Sequence, residues 1–115
     1  MIEIAIIGYG YWGPNLVRNF VATKGCNVHT VVDFRQESLD NIKRNHPTVN
    51  TTKSTDEVFK NSKIDAIVIA TPVFTHFELA QKALKNGKHV LLEKPMTSSV
   101  AEAEILIELA NKQQK

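Results

Sequence analysis

Two hydrophobic patterns alternate along this chain. Short unbroken apolar runs are typical of strands covered on both faces of a parallel sheet, and they predict strands at 4–7, 28–32, 65–70 and 89–92, with a further brief strand at 48–52. Apolar residues that recur every three or four positions predict helices at 15–23, 37–45, 54–59, 75–86 and 99–111. This alternation indicates the α/β fold class, with a doubly wound parallel sheet for which we expect the strand order 3-2-1-4-5.

Three of the predicted helices begin with the spacing of a capping box, in which a Ser or Thr precedes a Glu by three positions. The three pairs are Ser54 with Glu57, Thr75 with Glu78, and Ser99 with Glu102. Each hydroxyl is expected to accept a hydrogen bond from a backbone N–H of the first helical turn. Gly25 and Gly87 follow the first and fourth helices as stop signals.

Composition favours one domain that spans residues 1–115. The chain has 115 residues, of which 43% are hydrophobic, and it contains no repeats, low-complexity tracts or Pro/Gly-rich linkers. Its net charge of +2 is small and its basic residues are scattered, so a nucleic-acid partner is not expected. Lys82, Lys85 and Lys88 are expected to lie on the solvated side of a helix and just beyond its end.

Cysteine and histidine usage narrows the chemistry further. Cys26 is the only cysteine, which excludes an intramolecular disulfide and favours a reducing compartment. The four histidines are too dispersed in sequence for a metal site, so none is expected.

The first apolar run is too short for a membrane span and lacks the flanks of a signal peptide, so we expect a cytoplasmic protein without membrane association.

A G-x-G-x-x-G turn, formed by Gly8, Gly10 and Gly13, joins the first predicted strand to the first helix. Gly8 would permit a tight reversal, Gly10 would leave room for phosphates, and Gly13 would allow close packing of the helix on the strand. The helix N-terminus then presents N–H groups and a partial positive charge to an anion. Tyr11 and Trp12 belong to the same candidate site; the indole would cover a pyrophosphate, reach towards a substrate, or pack beneath the helix.

An acidic residue follows the second predicted strand at an informative distance. Asp33 lies 20 residues after Gly13, where dinucleotide-binding folds place a carboxylate against the adenosine ribose. Its two oxygens would accept from both the 2′- and 3′-hydroxyls and would repel a 2′-phosphate, which favours NAD over NADP. Arg35 complicates this preference, because it could stack on adenine or contact a phosphate. The alternative for Asp33 is a solvated side chain at a strand end.

Two further loops are expected at the same edge of the sheet as the glycine turn and Asp33. This edge is formed by the carboxyl ends of the parallel strands, where ligands collect. The first contains Ala70, Thr71 and Pro72, which would border the cofactor or would simply end a strand. The second contains Glu93 and Lys94. The lysine would donate to a substrate hydroxyl or a cofactor ribose and help to polarise a C–OH group during oxidation, or it would be an ordinary surface lysine.

Four separated motifs stand out along the chain: Ala70-Thr71-Pro72-Val73-Phe74-Thr75-His76, Ala80 with Ala83-Leu84, Gly87-Lys88-His89-Val90, and Glu93-Lys94-Pro95. Together they resemble the signature of the Gfo/Idh/MocA oxidoreductases. The likeness spans nearly the whole chain and implies an N-terminal NAD(P)-binding Rossmann domain, normally followed by a domain that supplies most of the substrate pocket and the dimer surface. It also implies that Lys94 is a catalytic or substrate-positioning residue. His76, within the first motif, would lie near the cofactor or would be a helix-start histidine bonded to backbone.

The resemblance also implies a class of substrate. Residues 10–15 together with Arg18 look like the sugar-nucleotide 3-dehydrogenase branch, which implies a sugar or sugar-nucleotide substrate. The chain departs from the family in length, because it stops before the downstream Asp/His pair and the substrate domain. We therefore expect it to bind a dinucleotide but not to turn over substrate efficiently alone. The full-length protein is expected to be a homo-oligomer, and residues 90–92 would form an exposed edge for self-association.

Three functional classes remain open at this point. The first is the cofactor-binding half of a sugar or sugar-nucleotide dehydrogenase. The second is a non-catalytic dinucleotide-binding or redox-sensing module, and the third is an S-adenosylmethionine-dependent methyltransferase. The third is disfavoured because Ile6 and Ile7 stand where such enzymes usually have an acidic residue. The sequence contains neither a Walker lysine nor a G-x-S-x-G elbow, which disfavours phosphoryl and acyl transfer.

Overall fold

A parallel sheet runs through the centre of the computed structural model, which describes residues 1–10, 13–92 and 99–115. Its strands are β1 (Ile2–Ile7), β2 (Cys26–Val32), β3 (Asn50–Thr52), β4 (Ala66–Ile69) and β5 (His89–Leu92). The helices are α1 (Gly13–Ala22), α2 (Gln36–Asn45), α3 (Thr55–Lys60), α4 (His76–Lys85) and α5 (Val100–Lys112), with a short 3₁₀ turn at Val73–Thr75 before α4. The strand order is β3-β2-β1-β4-β5 with parallel pairing throughout, so the predicted order is confirmed.

The core lies on both faces of the sheet. Successive side chains of a strand point to opposite faces, so Ala5 and Ile7 of β1 join one apolar cluster while Ile4 and Ile6 join the other. Helices α3, α4 and α5 complete the first cluster, and α1 and α2 complete the second. Burial on both faces explains why the strands are unbroken apolar runs rather than alternating patterns.

The register of the central strands brings three loops together. Ile7, the last residue of β1, pairs with Val32 of β2 on one side and with Ile69 of β4 on the other. The hydrogen bonds continue just past the strands, since the Gly8 N–H donates to the Val32 carbonyl (2.8 Å) and the Ala70 N–H donates to the Ile7 carbonyl (2.8 Å). The segments that follow β1, β2 and β4 therefore begin side by side at one edge of the sheet.

Of the three predicted helix caps, the one at Ser99 is confirmed and those at Ser54 and Thr75 are wrong. Ser99 Oγ accepts a hydrogen bond from the Glu102 N–H (3.2 Å), as the capping box before α5 requires. Ser54 makes no such side-chain bond before α3. Its own N–H, which a capping box would give to Glu57, donates instead to Thr52 Oγ1 (3.1 Å). This acceptor lies only two residues earlier, a local hydroxyl–backbone bond that competes with the capping box.

The predicted cap at Thr75 is also wrong. Thr75 has helical backbone angles (φ −94°, ψ −13°) because the 3₁₀ turn runs directly into α4, and its side chain makes no cap bond. The Thr75 hydroxyl donates to the Pro72 carbonyl (2.6 Å) and lies 2.6 Å from the Thr71 hydroxyl. Since Thr75 has one hydroxyl proton, Thr71 is the donor in the second bond. The side chain therefore ties the loop after β4 together instead of capping the helix.

Lys88 departs from the prediction that it is solvated. It is 5% exposed, and its Nζ donates to the carbonyls of Asn61 and Ile64, at 2.6 Å each. Burial lowers the pKa of Lys88, while nearby Asp65 opposes this shift. Lys82 and Lys85 are exposed on α4, as predicted. The difference arises because β5 starts beside the loop between α3 and β4, a long-range contact that spacing along the chain does not show.

Candidate functional site

The candidate site lies where the chain changes direction across the sheet. From β1 the chain moves through α1 to β2 on one side, and it later crosses through α3 to β4 on the other side of β1. At such a switch point the loops after the neighbouring strands diverge and leave a crevice at the carboxyl ends. The loops after β1, β2 and β4 border this crevice.

Gly8 turns the chain sharply at the end of β1. Its φ of +102° lies in the left-handed region, and a Cβ built there would stand 2.7 Å from the Ala70 carbonyl oxygen. Gly13, the first residue of α1, is equally confined, because its Cβ would stand 2.6 Å from the Gly8 carbonyl oxygen. The N-terminus of α1 therefore packs directly on the turn.

Gly10 differs from the other two glycines. A Cβ at Gly10 would meet Arg35 Nη2 at 3.7 Å, an ordinary van der Waals separation. The first turn of α1 carries no acidic residue and includes Pro14, which has no N–H. Among the described residues, the end of one flexible side chain therefore stands near the Cβ position of Gly10, and the first turn of α1 presents the positive end of a helix dipole. Tyr11 and Trp12 lie outside the described residues.

Asp33 is held firmly at the end of β2. It is 8% exposed; Oδ2 accepts from the Tyr9 N–H (2.8 Å), and Oδ1 accepts from the Arg35 N–H (2.9 Å) and Nε–H (3.2 Å). Burial alone would raise the pKa of Asp33, but these hydrogen bonds outweigh it and hold the pKa below its usual value. The carboxylate is therefore ionised at neutral pH and is joined directly to the glycine turn.

Arg35 lies on the solvent side of Asp33. It is the residue before α2, its backbone is extended, and its side chain is 63% exposed. The hydrogen bond and the charge of Asp33 raise the pKa of Arg35 above its usual value. The guanidinium thus supplies a positive charge between Asp33 and Gly10.

The loop after β4 is organised by a buried histidine. His76, the first residue of α4, is 1% exposed, and its Nε2 lies 2.7 Å from the Thr71 carbonyl oxygen. A carbonyl only accepts, so Nε2 carries the proton in this bond. This is the helix-start histidine bonded to backbone that the sequence offered as one of two alternatives. Together with the Thr71–Thr75 hydroxyl pair, it fixes the loop that contains Ala70, Thr71 and Pro72.

The remaining predicted site residues are Glu93 and Lys94, which lie outside the described residues. The preceding strand β5 ends at Leu92, which pairs with Ile69 of β4. The end of β5 therefore lies at the same edge of the sheet as the loop after β4.

Sequence spacing missed one hydrogen bond of the site and two exposed aromatic side chains in the neighbouring loops. The Tyr9 N–H bonds to Asp33, but a backbone donor leaves no signal in residue type. Phe34 and Phe74 are 72% and 77% exposed, in the loops after β2 and β4 respectively. The position of these two phenylalanines just after a strand end could have revealed them in the sequence. Large exposed apolar side chains often mark a contact surface.

The described residues form neither a candidate metal-binding cluster nor a candidate membrane span. No group of three or more His, Cys, Asp or Glu side chains is arranged to hold a metal ion in that part of the chain. Likewise, none of the helices in the described segments has both the length and the apolar character that crossing a bilayer requires.

Comparison with known proteins places this architecture in a family. YdgJ, an uncharacterized oxidoreductase of Escherichia coli K12, is 36% identical over 109 residues, covering 95% of this chain and 31% of that protein. The scyllo-inositol 2-dehydrogenase (NADP(+)) IolW of Bacillus subtilis strain 168 is 27% identical over 105 residues, covering 91% of this chain and 29% of that protein. The crystal structure of an NAD-binding protein from Listeria innocua has a TM-score of 0.92 and 32% identity, and the match covers 99% of this chain and 33% of that chain.

The family model matches nearly the whole sequence. Residues 2–115 match the Gfo/Idh/MocA model, described as an oxidoreductase family with an NAD-binding Rossmann fold. The chain spans about a third of the length of the curated relatives it matches. The chain therefore belongs to the Gfo/Idh/MocA oxidoreductase family and corresponds to its NAD-binding Rossmann domain.

Proposed function

We propose that this chain is the cofactor-binding part of an NAD(P)-dependent dehydrogenase acting on a hydroxyl group of a sugar, a related polyol or a sugar nucleotide. The nicotinamide supplies the hydride chemistry, and the protein supplies binding and orientation. The observation that carries the proposal is the ionised Asp33 carboxylate, held against the glycine turn by the Tyr9 N–H. The polyol dehydrogenase among the relatives supports the substrate class.

Different parts of the crevice would hold the pyrophosphate and the nicotinamide end of a dinucleotide. The glycine turn and the N-terminus of α1 would hold the pyrophosphate, because the described group nearest to the Cβ position of Gly10 is the cationic Arg35 guanidinium and the helix dipole favours an anion. The loop after β4 would border the nicotinamide end, with His76 as a positioning residue that acts through Thr71. Tyr11, Trp12 and Glu93 are proposed for the same site from the sequence motifs.

Within this proposal NAD is favoured over NADP. A buried, ionised carboxylate would accept from the ribose hydroxyls of NAD and would repel the 2′-phosphate of NADP. The names of relatives include both an NAD-binding protein and an NADP(+) enzyme, so they support a nicotinamide cofactor without distinguishing the two. The preference for NAD rests on Asp33.

Calorimetric titration of the chain with NAD, NADP and S-adenosylmethionine tests the proposal. Asp33→Asn removes one negative charge at nearly constant shape and should weaken NAD binding by about tenfold or more, because it removes charge-assisted hydrogen bonds. Glu104→Gln, an isosteric change on the exposed surface of α5, is the matched control and should leave NAD binding unchanged. Binding of S-adenosylmethionine alone would contradict the proposal and favour a methyltransferase.

Lys94 is proposed as the residue that contacts the substrate hydroxyl, on the basis of its Glu-Lys-Pro motif. A residue at the substrate end should contribute little to binding of the adenosine half. Lys94→Ala should therefore leave the NAD affinity of this chain nearly unchanged, while lowering kcat in a protein that contains the remaining substrate-binding residues. A loss of NAD affinity as large as that of Asp33→Asn would instead place Lys94 in the cofactor site.

We also propose that the chain self-associates through β5. This strand is last in the sheet order, and no other described strand pairs with its outer side. Leu91 is 51% exposed on it, beside an apolar groove of about 300 Å³ between β5, α4 and α5. The groove is lined by Ala80, Leu84, Val90, Leu91, Leu92, Leu106, Ile107, Ala110 and Lys115. An unpaired strand edge of this kind is a template for pairing with a second copy.

A further inference from the structure

The Asp33 carboxylate already accepts hydrogen bonds from other groups of the chain. Oδ1 accepts two hydrogen bonds from Arg35, one from its backbone N–H (2.9 Å) and one from its Nε–H (3.2 Å). Oδ2 accepts one, from the Tyr9 N–H (2.8 Å). A carboxylate oxygen offers about two acceptor positions. Among the described residues, Oδ1 is therefore saturated, whereas Oδ2 has one position left.

A ribose diol cannot engage both oxygens of this carboxylate in the observed arrangement. Bonds from the 2′- and 3′-hydroxyls to separate oxygens need an open position on each, so one donor must leave Oδ1. The Arg35 N–H is fixed, because Arg35 is the N-cap residue of α2 and its backbone continues into the helix. The guanidinium is the donor that can leave, since it stands at the end of a flexible side chain that is 63% exposed.

The position of the guanidinium also matters for access to the turn. While Nε bonds to Asp33, Nη2 of the same group lies 3.7 Å from the place where a Cβ would stand at Gly10. The guanidinium thus extends from the carboxylate towards the second glycine of the turn. If the proposed function is correct, this is the space between the adenosine ribose and the pyrophosphate.

We propose that Arg35 is a specificity-determining residue that competes with the ribose diol of NAD for Asp33. NAD has to displace the guanidinium from Oδ1, which lowers its apparent affinity. NADP carries a 2′-phosphate that a guanidinium binds well, so the same displaced side chain gains a new partner and offsets the repulsion from Asp33. Arg35 therefore narrows the difference in affinity between the two cofactors. This inference rests on the proposed function and adds a role that opposes NAD binding.

Titration of Arg35→Ala with NAD and NADP tests the inference. Removal of a competitor should raise the affinity for NAD, whereas removal of a residue that binds NAD should lower it. The ion pair is open to solvent on its Arg35 side, which screens it, so removing the competitor should tighten NAD binding by about two- to fivefold. NADP binding should weaken by about tenfold or more, since a charge-assisted contact to its phosphate is lost. The variant should fold normally, because the exposed side chain is removed while the backbone N–H to Asp33 remains.

Arg44→Ala is the matched control. Arg44 is exposed at the other end of α2, and its guanidinium bonds to Asn41 (3.2 Å), so the variant loses the same charge away from the crevice. It should leave the affinity ratio of NAD to NADP unchanged. An equal change in that ratio in both variants would overturn the inference, since it would reflect net charge alone.

The remaining outcomes separate this inference from the proposed function. Wild-type binding of NAD together with weaker NAD binding by Arg35→Ala would overturn the competition and leave the proposed function intact. Wild-type chain that binds neither NAD nor NADP would overturn the proposed function and the competition with it. Tighter NAD binding and weaker NADP binding in Arg35→Ala, with Arg44→Ala unchanged, would support both.

Discussion

At the scale of single residues, the candidate site depends on very short distances between backbone segments. Gly8 approaches the Ala70 carbonyl, and Gly13 approaches the Gly8 carbonyl, so that β1, α1 and the loop after β4 meet without intervening side chains. The Tyr9 N–H then ties the turn to Asp33. These contacts place the carboxylate and the turn in one rigid arrangement, which a binding site for a dinucleotide requires.

Gly8→Ala should destabilise the fold more than Gly25→Ala does. Both positions have a positive φ (+102° and +89°), so each substitution introduces backbone strain of about 1–2 kcal/mol. At Gly8 the new Cβ would also stand 2.7 Å from Ala70 O, whereas nothing lies within 4 Å at Gly25. Overpacking should add about 1–3 kcal/mol at Gly8 alone. Urea denaturation measures the difference, and equal losses in the two variants would contradict the close approach.

The pH dependence of stability should carry a contribution from Asp33. Hydrogen bonds hold the pKa of Asp33 below its usual value of 3.8, despite the opposing effect of burial. A carboxyl with a lower pKa in the folded chain stabilises the fold above its unfolded pKa, and this stabilisation is lost as pH falls through the folded pKa. The free energies of unfolding of wild type and Asp33→Asn should therefore differ at about pH 6 and draw together only as pH falls below about 3.8, through the lower pKa of the folded chain. A difference that stays constant down to about pH 2 would contradict the ionised, hydrogen-bonded carboxylate.

At the scale of elements, the loops are joined by polar contacts that the hydrophobic pattern does not encode. Lys88, at the start of β5, bonds to two carbonyls of the loop between α3 and β4. His76, at the start of α4, bonds to the loop after β4. Each contact fixes where one element begins relative to a neighbour that is distant in sequence.

Lys88→Met should destabilise the fold by about 1–3 kcal/mol, because it removes the ammonium group that donates to the carbonyls of Asn61 and Ile64; the Asn61 carbonyl still accepts from the Ile64 N–H (3.1 Å). Lys85→Met, an exposed change on α4, is the control and should stay within about 0.5 kcal/mol of wild type. Thermal or urea denaturation compares the two. Equal stability of the two variants would show that Lys88 contributes no buried hydrogen bonds.

The sequence predicts the elements better than the contacts between them. Strand positions and strand order follow from apolar runs, because parallel strands are buried on both faces. The cap at Ser99 follows from local spacing and is confirmed, whereas the cap at Thr75 is wrong because a 3₁₀ turn runs directly into α4. Lys88 is misjudged because its partners depend on how the chain folds back. For the same reason, Asp33 is predicted as a site residue while its bond to the Tyr9 N–H is not.

At the scale of the whole molecule, two exposed features of the described residues differ in chemical character. The crevice lies at the carboxyl ends of the strands and is bordered by polar and charged groups. The second feature is apolar and follows the outer side of β5 and the adjoining faces of α4 and α5. The first suits a charged small molecule, and the second suits another protein surface.

Self-association through β5 should be visible by light scattering as a mass that rises with concentration. Leu91→Lys places a charge on the exposed strand edge and should keep the chain monomeric. Val21→Lys is the control, because Val21 is similarly exposed (47%) but lies on α1, away from the groove. A wild-type chain that is monomeric at all concentrations, or an equal effect of both variants, would contradict self-association through this edge.

The most direct test of the account is to map where NAD binds. Titration of ¹⁵N-labelled chain with NAD, followed by two-dimensional NMR, reports each backbone amide separately. We expect shifts concentrated in the amides of Gly8, Gly10, Asp33 and Thr71, which border the crevice. Saturating NAD that shifts no amide, or shifts those of the groove beside α5 instead, would contradict a dinucleotide site at the glycine turn.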